Sequence, residues 1–130
     1  MSNVNNKMKA KDFTPETWEL EYTDRNGNEQ CLKLELSVEA VKKADDLNLV
    51  QKLTEMGTTD ILSNLLYIFM IKHKGISAVS PSYAKRCAED IIDGGEYDVK
   101  EMCATLIEEF IARYNQVFTS QGAKKTLKKA

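Results

Sequence analysis

The stretch WELEYTDRNGNEQCLKLELSVEAV, from Trp18 to Val41, decides the fold. Up to Leu36, apolar and polar residues alternate on both sides of Asn26-Gly27, a pair that supplies the positive-φ residues that a tight hairpin turn needs. From Ser37 onward, apolar residues recur every three or four positions, which is the period of a helix. The change of period therefore predicts one β-hairpin followed by helices, with Ser37 as the N-cap of the first helix.

The predicted strands run from about Trp18 to Thr23 and from about Gln30 to Leu36. Because strand side chains alternate between faces, each strand has one apolar face. A lone hairpin is marginal in water, so we expect the helices to cover this face. The face on which Cys31 lies is left open. The apolar face consists of Trp18, Leu20, Tyr22, Leu32, Leu34 and Leu36.

About four helices follow the hairpin, and the chain is predicted to be α+β, mainly α. We expect a single domain over residues 13–118, a disordered N-terminus over residues 1–12 and a flexible basic tail over residues 119–130. The first helix contains a weak point at residues 45–48, where a bend or a split is possible. Glycine and proline end or begin the helices. The predicted helices are Val38 to Met56, ended by Gly57; Asp60 to Lys74, capped by Thr58 or Thr59 and ended by Gly75; Pro81 to Asp93, capped by Ser80; and a last helix capped by Asp98 and Glu101 that ends at Phe118.

The second predicted helix is apolar nearly all round between Ile61 and Ile71. Such a helix is either central to the core or partly covered by another chain. The apolar run is about half of what a membrane span needs, so we expect no membrane partner.

The charge of the chain is unevenly distributed. The net charge is −2, but both ends are rich in lysine, and residues 13–118 carry about −8. An acidic body repels phosphate, so no nucleic-acid partner is expected. The lysines of the tail are interpreted as a solvated terminus. The polar start of the chain lacks the apolar run of a secretory signal, which favours a cytoplasmic protein with reduced thiols.

No catalytic constellation is evident, so an enzyme is the least favoured hypothesis. The single histidine, His73, lies between two lysines at the predicted end of a helix, where it favours the helix dipole. Adjacent carboxylates on a helix point about 100° apart and do not converge on one substrate. Cys31, Cys87 and Cys103 have no CxxC spacing, and core packing is the better interpretation of Cys87 and Cys103. We therefore predict no catalytic residues and no cofactor.

The hairpin turn has part of the residue pattern of a calcium-binding loop. Asp24, Asn26 and Asn28 fall at the first, third and fifth offsets of an EF-hand, but Glu29 occupies the offset that requires glycine. The flanking residues alternate as strands rather than helices. A hairpin turn is the better interpretation, and no metal site is predicted.

The order of these elements resembles that of tail assembly chaperones of long-tailed bacteriophages of Gram-positive hosts. The resemblance covers about Trp18 to Phe118 and rests on pattern, length and element order. The residues that carry it are WELEY, GN and CLKLEL in the hairpin, Leu62-Ser63-Asn64-Leu65-Leu66-Tyr67, Lys72-His73-Lys74, Ser80-Pro81, Asp93-Gly94-Gly95 and Leu106-Ile107-Glu108-Glu109-Phe110.

The resemblance implies a non-enzymatic role in the host cytoplasm. Such chaperones coat the long, helical, apolar tape-measure protein and keep it soluble while tail-tube subunits assemble around it. The resemblance also implies possible self-association and a longer form made by ribosomal frameshifting near the basic tail. The alternative is a small adaptor or regulatory protein-binding module, or another phage structural component.

A chaperone of this kind needs exposed apolar residues that contact the client helix or another copy of the chain. The same residues are also candidates for the core, and the sequence leaves both roles open. The predicted pool of contact residues is Leu62, Leu66, Phe69, Met70, Phe110, Tyr114 and Phe118.

Overall fold

The computed structural model describes the backbone of residues 17–129 and the side chains of residues 19–118. In this part of the chain an N-terminal hairpin precedes five helices, which confirms the predicted α+β, mainly helical class. The elements are β1 (Thr17–Thr23), β2 (Glu29–Glu35), α1 (Val38–Asp46), α2 (Leu49–Leu53), α3 (Thr58–Lys74), α4 (Pro81–Gly94) and α5 (Val99–Lys129).

Most of the two predicted terminal segments lies outside the residues that the structure describes. Residues 1–12, predicted to be disordered, are not among the described residues, and the side chains after Phe118 are not described either. The helix α5 extends past Phe118, where the apolar pattern predicts its end, to Lys129. The flexibility of the basic tail stays a prediction.

The hairpin is antiparallel, with Leu20 opposite Leu32. Its turn closes because the Asp24 N–H donates to the Asn28 carbonyl at 2.9 Å and the Gly27 N–H donates to the Asp24 carbonyl at 2.9 Å. Only Gly27, at φ 84°, adopts a positive φ there, so the prediction that Asn26 shares this conformation is wrong. One left-handed residue suffices because this is a three-residue loop rather than a two-residue one.

The side chain of Asp24 holds the turn from inside. Its Oδ1 accepts the backbone N–H groups of Asn26 and Asn28, both at 2.9 Å, and its Oδ2 accepts the Gln30 amide at 2.9 Å. The backbone hydrogen bond from Asn28, followed by that from Gln30, lowers the pKa of Asp24. The negative charge is thus part of the turn.

The apolar face of the hairpin is buried as predicted from Leu20 onward, whereas the side chain of Trp18 lies outside the described residues. Leu20 and Leu34 are fully buried, and Tyr22, Leu32 and Leu36 are nearly so. The strand β2 packs against α3, and β1 packs against α4. The helices therefore supply the cover that an isolated hairpin lacks.

The first predicted helix is split in two. Asn48 adopts the left-handed conformation, with φ 56°, between α1 and α2. Asparagine tolerates this conformation better than most residues, so the split falls at the weak point that the sequence indicates. Val38, which the apolar pattern of the first predicted helix includes, is 41% exposed at the first turn of α1.

Most helix ends follow the predicted caps, but the first predicted helix does not extend to Met56 and Gly57, because α2 ends at Leu53 with Thr54 as its C-cap. The side chain of Ser37 accepts the Ala40 N–H, and Gly75 ends α3, as predicted. The residue that caps α3, however, is Gly57 rather than Thr58 or Thr59. Glycine tolerates the N-cap position well enough to begin a helix that is stabilised mainly by burial.

The helix α3 is the centre of the molecule. It packs against β2, α1, α4 and α5, and its side chains from Leu65 to Ile71 are buried without interruption. The nearly all-round apolar pattern is thereby explained within one chain. Among the helices of the described part, none is long and apolar enough to cross a membrane.

The N-cap of α4 provides a test of the local geometry. Ser80 Oγ accepts the Tyr83 N–H at 3.0 Å, and Pro81 occupies the first turn. We expect Ser80→Ala to lower the free energy of unfolding by about 1 kcal/mol, because a helix N–H loses its acceptor. Urea unfolding followed by circular dichroism measures this change. Ser80→Asp keeps an acceptor and should retain most of the stability, whereas an alanine variant as stable as the original would contradict the assignment.

Candidate partner-binding surface

Most of the predicted contact residues lie in the core. Five of the seven have no exposed surface, because α3 is enclosed on several sides and α5 turns one face towards it. In this structure they hold helices together and do not line an outer surface. The five residues are Leu62, Leu66, Phe69, Met70 and Phe110.

Tyr114 and Phe118 remain partly exposed on α5. They continue an aromatic row that begins in the core at Phe110: the ring centroids of Phe110 and Tyr114 are 5.9 Å apart, and those of Tyr114 and Phe118 are 4.8 Å apart. Of the seven predicted contact residues, these two are therefore the ones whose side chains a partner could reach. Whether they contact a partner stays a prediction.

The hydroxyl of Tyr114 fixes this row against α1. It donates to Asp45 Oδ1 at 2.6 Å, and this hydrogen bond raises the pKa of Tyr114. The ring is thus held in place while one edge stays accessible, which reduces the side-chain entropy lost when a partner binds.

Two isoleucines extend the partly exposed surface along the helix. Ile107 and Ile111 are half-buried at the edge of the core. With Tyr114 and Phe118 they follow a spacing of four, three and four residues, which places them on one side of a helix. We name this surface the α5 stripe; it consists of Ile107, Ile111, Tyr114 and Phe118. The apolar period indicated these isoleucines, but their exposure could not be inferred from it.

A second exposed apolar surface lies between α1 and the loop after α3. Val38 and Ile76 are each 41% exposed and line a shallow depression of about 390 Å³ with Lys42 and Asp46. It has two large apolar side chains against four on the α5 stripe, so the α5 stripe is the stronger candidate for a helical partner.

The polar contacts between the hairpin and α4 have a structural role. Arg25 Nε donates to the buried Asp90 carboxylate at 2.6 Å, and Arg25 also contacts Glu89 at 3.4 Å. The Tyr97 hydroxyl donates to the Glu21 carbonyl at 2.6 Å. These contacts tie the hairpin to α4 and to the segment that follows it.

The thiols do not have the environment of catalytic cysteines. Burial raises the pKa of Cys87, and it raises the pKa of Cys103 to about 11. The pKa of Cys31 is also raised, first by desolvation and then by nearby Glu19. A raised pKa leaves little thiolate at neutral pH, so none of the three is activated as a nucleophile.

His73 and the acidic residues form no evident reactive centre. His73 Nε2 lies 3.2 Å from Glu35 Oε1, where it links the end of α3 to β2. Within the described ranges, no group of three or more histidine, cysteine, aspartate or glutamate side chains is placed to hold a metal ion.

Comparison with known proteins returned no match to a protein-family model, a curated protein or a solved structure.

Proposed function

We propose that this chain is a non-enzymatic tail assembly chaperone of a long-tailed bacteriophage, which binds the tape-measure protein in the host cytoplasm. The observation that carries the proposal is the α5 stripe. Four large apolar side chains stand partly exposed there, at the spacing with which one helix packs on another. A helix of a long apolar client would cover them.

The charge around the α5 stripe supports the same role. Glu101 and Glu108 are exposed on α5, and the body of the chain is acidic. Like charges keep copies of the chain apart when the client is absent. A chaperone that carries an apolar surface needs such a device to remain dispersed.

The resemblance in element order supports the identity of the client. Hairpin, central apolar helix and final amphipathic helix follow one another as the resemblance implies. The client in that family is the tape-measure protein, which makes the source genome's own tape-measure protein the partner to test.

Co-expression tests the proposal. We expect the tape-measure protein encoded in the source genome to be insoluble alone and soluble with this chain, and to co-purify with several tagged copies of it. The measurement is the fraction of client in the soluble lysate, with the mass of the complex from light scattering. A client that stays equally insoluble with and without the chain would contradict the proposal. Recovery of a different, compact protein instead would support the adaptor hypothesis.

A further inference from the structure

A row of polar side chains interrupts the apolar surface of α3. Asp60, Ser63, Asn64 and Tyr67 lie on one side of the helix over about two turns. They line a groove of about 510 Å³ whose walls come from α1 and from the start of α4. This volume lies within the range of ligand sites, about 300–1,000 Å³. We name it the α3 groove.

Two residues that line the α3 groove, Ser63 and Tyr67, carry a hydroxyl group and are mostly buried. Ser63 is 7% exposed and Tyr67 is 8% exposed. Among the residues that the structure describes, neither side chain has a hydrogen-bond partner. Buried polar groups are nearly always paired, so an unpaired one calls for an explanation. Two of them, one turn apart in the same groove, indicate a ligand that accepts hydrogen bonds.

Two lysines make the α3 groove positive in an otherwise acidic body. Lys43 contributes from α1 and Lys85 from α4, and both line the same groove. Within the described part of the chain, neither is ion-paired. Asn64 is engaged, because its amide donates to the Asp60 carbonyl at 2.8 Å. Among the described residues that line the groove, the donors without a partner are the ammonium groups of Lys43 and Lys85 and the hydroxyls of Ser63, Tyr67 and Ser82.

We infer that the α3 groove binds a carboxylate. A carboxylate has two oxygens with about four acceptor positions, and the two lysines and the hydroxyls of the groove supply at least that many donors. Asp60 at the same groove disfavours a doubly charged phosphate. Leu47 and Pro81 supply apolar walls for the carbon chain that bears the carboxylate. This inference is independent of the proposed function, since it concerns a different surface from the α5 stripe.

The carboxylate has two possible sources, and two probes distinguish them. Butyrate represents a free organic acid, and N-acetyl-glutamic acid N-methylamide, which also carries a single carboxylate, represents an acidic side chain on a polypeptide. Each is titrated into the ¹⁵N-labelled full chain at constant ionic strength, and backbone amide shifts are followed by NMR. N-acetyl-glutamine N-methylamide and inorganic phosphate are the comparison ligands.

We expect saturable shifts at the amides around Ser63 and Tyr67 with both carboxylates. The tighter of the two identifies the source. The double variant Lys43→Gln with Lys85→Gln should weaken binding by roughly tenfold or more, because hydrogen bonds to charged groups are the stronger ones. Tyr67→Phe keeps the packing of the ring and should weaken binding by a few-fold.

A matched control separates the α3 groove from general charge. The variant Lys33→Gln with Lys100→Gln also removes two positive charges, but at exposed positions that do not line the groove. It should bind butyrate as the original chain does. The inference is overturned if shifts do not saturate, if the control variant weakens binding as much as the groove variant, or if phosphate or the glutamine compound binds as tightly as the carboxylates.

Discussion

Replacing Phe69 with alanine is expected to lower the free energy of unfolding by about 3–5 kcal/mol, which is typical of a large buried aromatic. Phe69 lies towards the C-terminal end of α3 and has no exposed surface. The helix packs against a strand and three other helices. Because these neighbours surround the ring on several sides, they cannot move together to fill the space that its removal leaves. The cost includes both the lost transfer free energy and the cavity that remains.

Urea unfolding followed by circular dichroism measures the loss, and Tyr83→Ala is the matched control. Tyr83 is also an aromatic on a helix, but its side chain is 38% exposed. Its truncation should cost about 1 kcal/mol or less, as surface changes usually do. If Phe69→Ala were no more costly than Tyr83→Ala, Phe69 would not be a core residue and the prediction that it contacts a partner would regain its place.

The double variant Ile107→Asp with Ile111→Asp is expected to abolish recovery of the client from co-expressing cells. Each isoleucine is half-buried against the core and offers its remaining surface to a client helix. Complete burial of such a side chain contributes about 1.5–3 kcal/mol, so the loss of two partial contributions alone weakens binding by at least roughly tenfold. Two carboxylates that must be desolvated increase the loss.

The control introduces two aspartates elsewhere on α5. Ala112 and Gln116 are exposed and lie on the far side of the helix from the α5 stripe, four residues apart like the isoleucines. Ala112→Asp with Gln116→Asp should recover the client normally. Thermal unfolding must show that both double variants are folded under the conditions of the assay. A folded isoleucine variant that recovers the client as well as the control would exclude the α5 stripe as the binding surface.

The sequence allowed the fold class to be predicted because local signals agreed. Alternation in the hairpin, Ser37 and Ser80 as N-caps and Gly75 as a helix end all point to the observed elements. The exceptions are places where tertiary structure outweighs local preference. The burial of α3 allows a glycine, Gly57, to serve as its cap, whereas the split at Asn48 falls where the sequence already indicates a weak point.

The surface was harder to predict than the fold, for a physical reason. Helical periodicity identifies which side of a helix is apolar, but it contains no information about how many neighbours cover that side. For α3 the neighbours cover most of the apolar surface, and Leu62, Leu66 and Met70 are therefore core residues. For α5 the cover is partial, and the α5 stripe remains at its edge. The unpaired hydroxyls had a sequence signal, since Ser63 interrupts the apolar run of α3, but their lack of partners depends on tertiary structure.

Site-specific photo-crosslinking tests the central claim, that a client helix docks on the α5 stripe, most directly. Benzoylphenylalanine replaces Asn115, at an exposed position beside the α5 stripe, in one variant and Lys52, on α2, in a second variant. The account predicts that irradiation of cells co-expressing the client links position 115, but not position 52, to the tape-measure protein. Crosslinks to the client from position 52 with none from position 115 would contradict it.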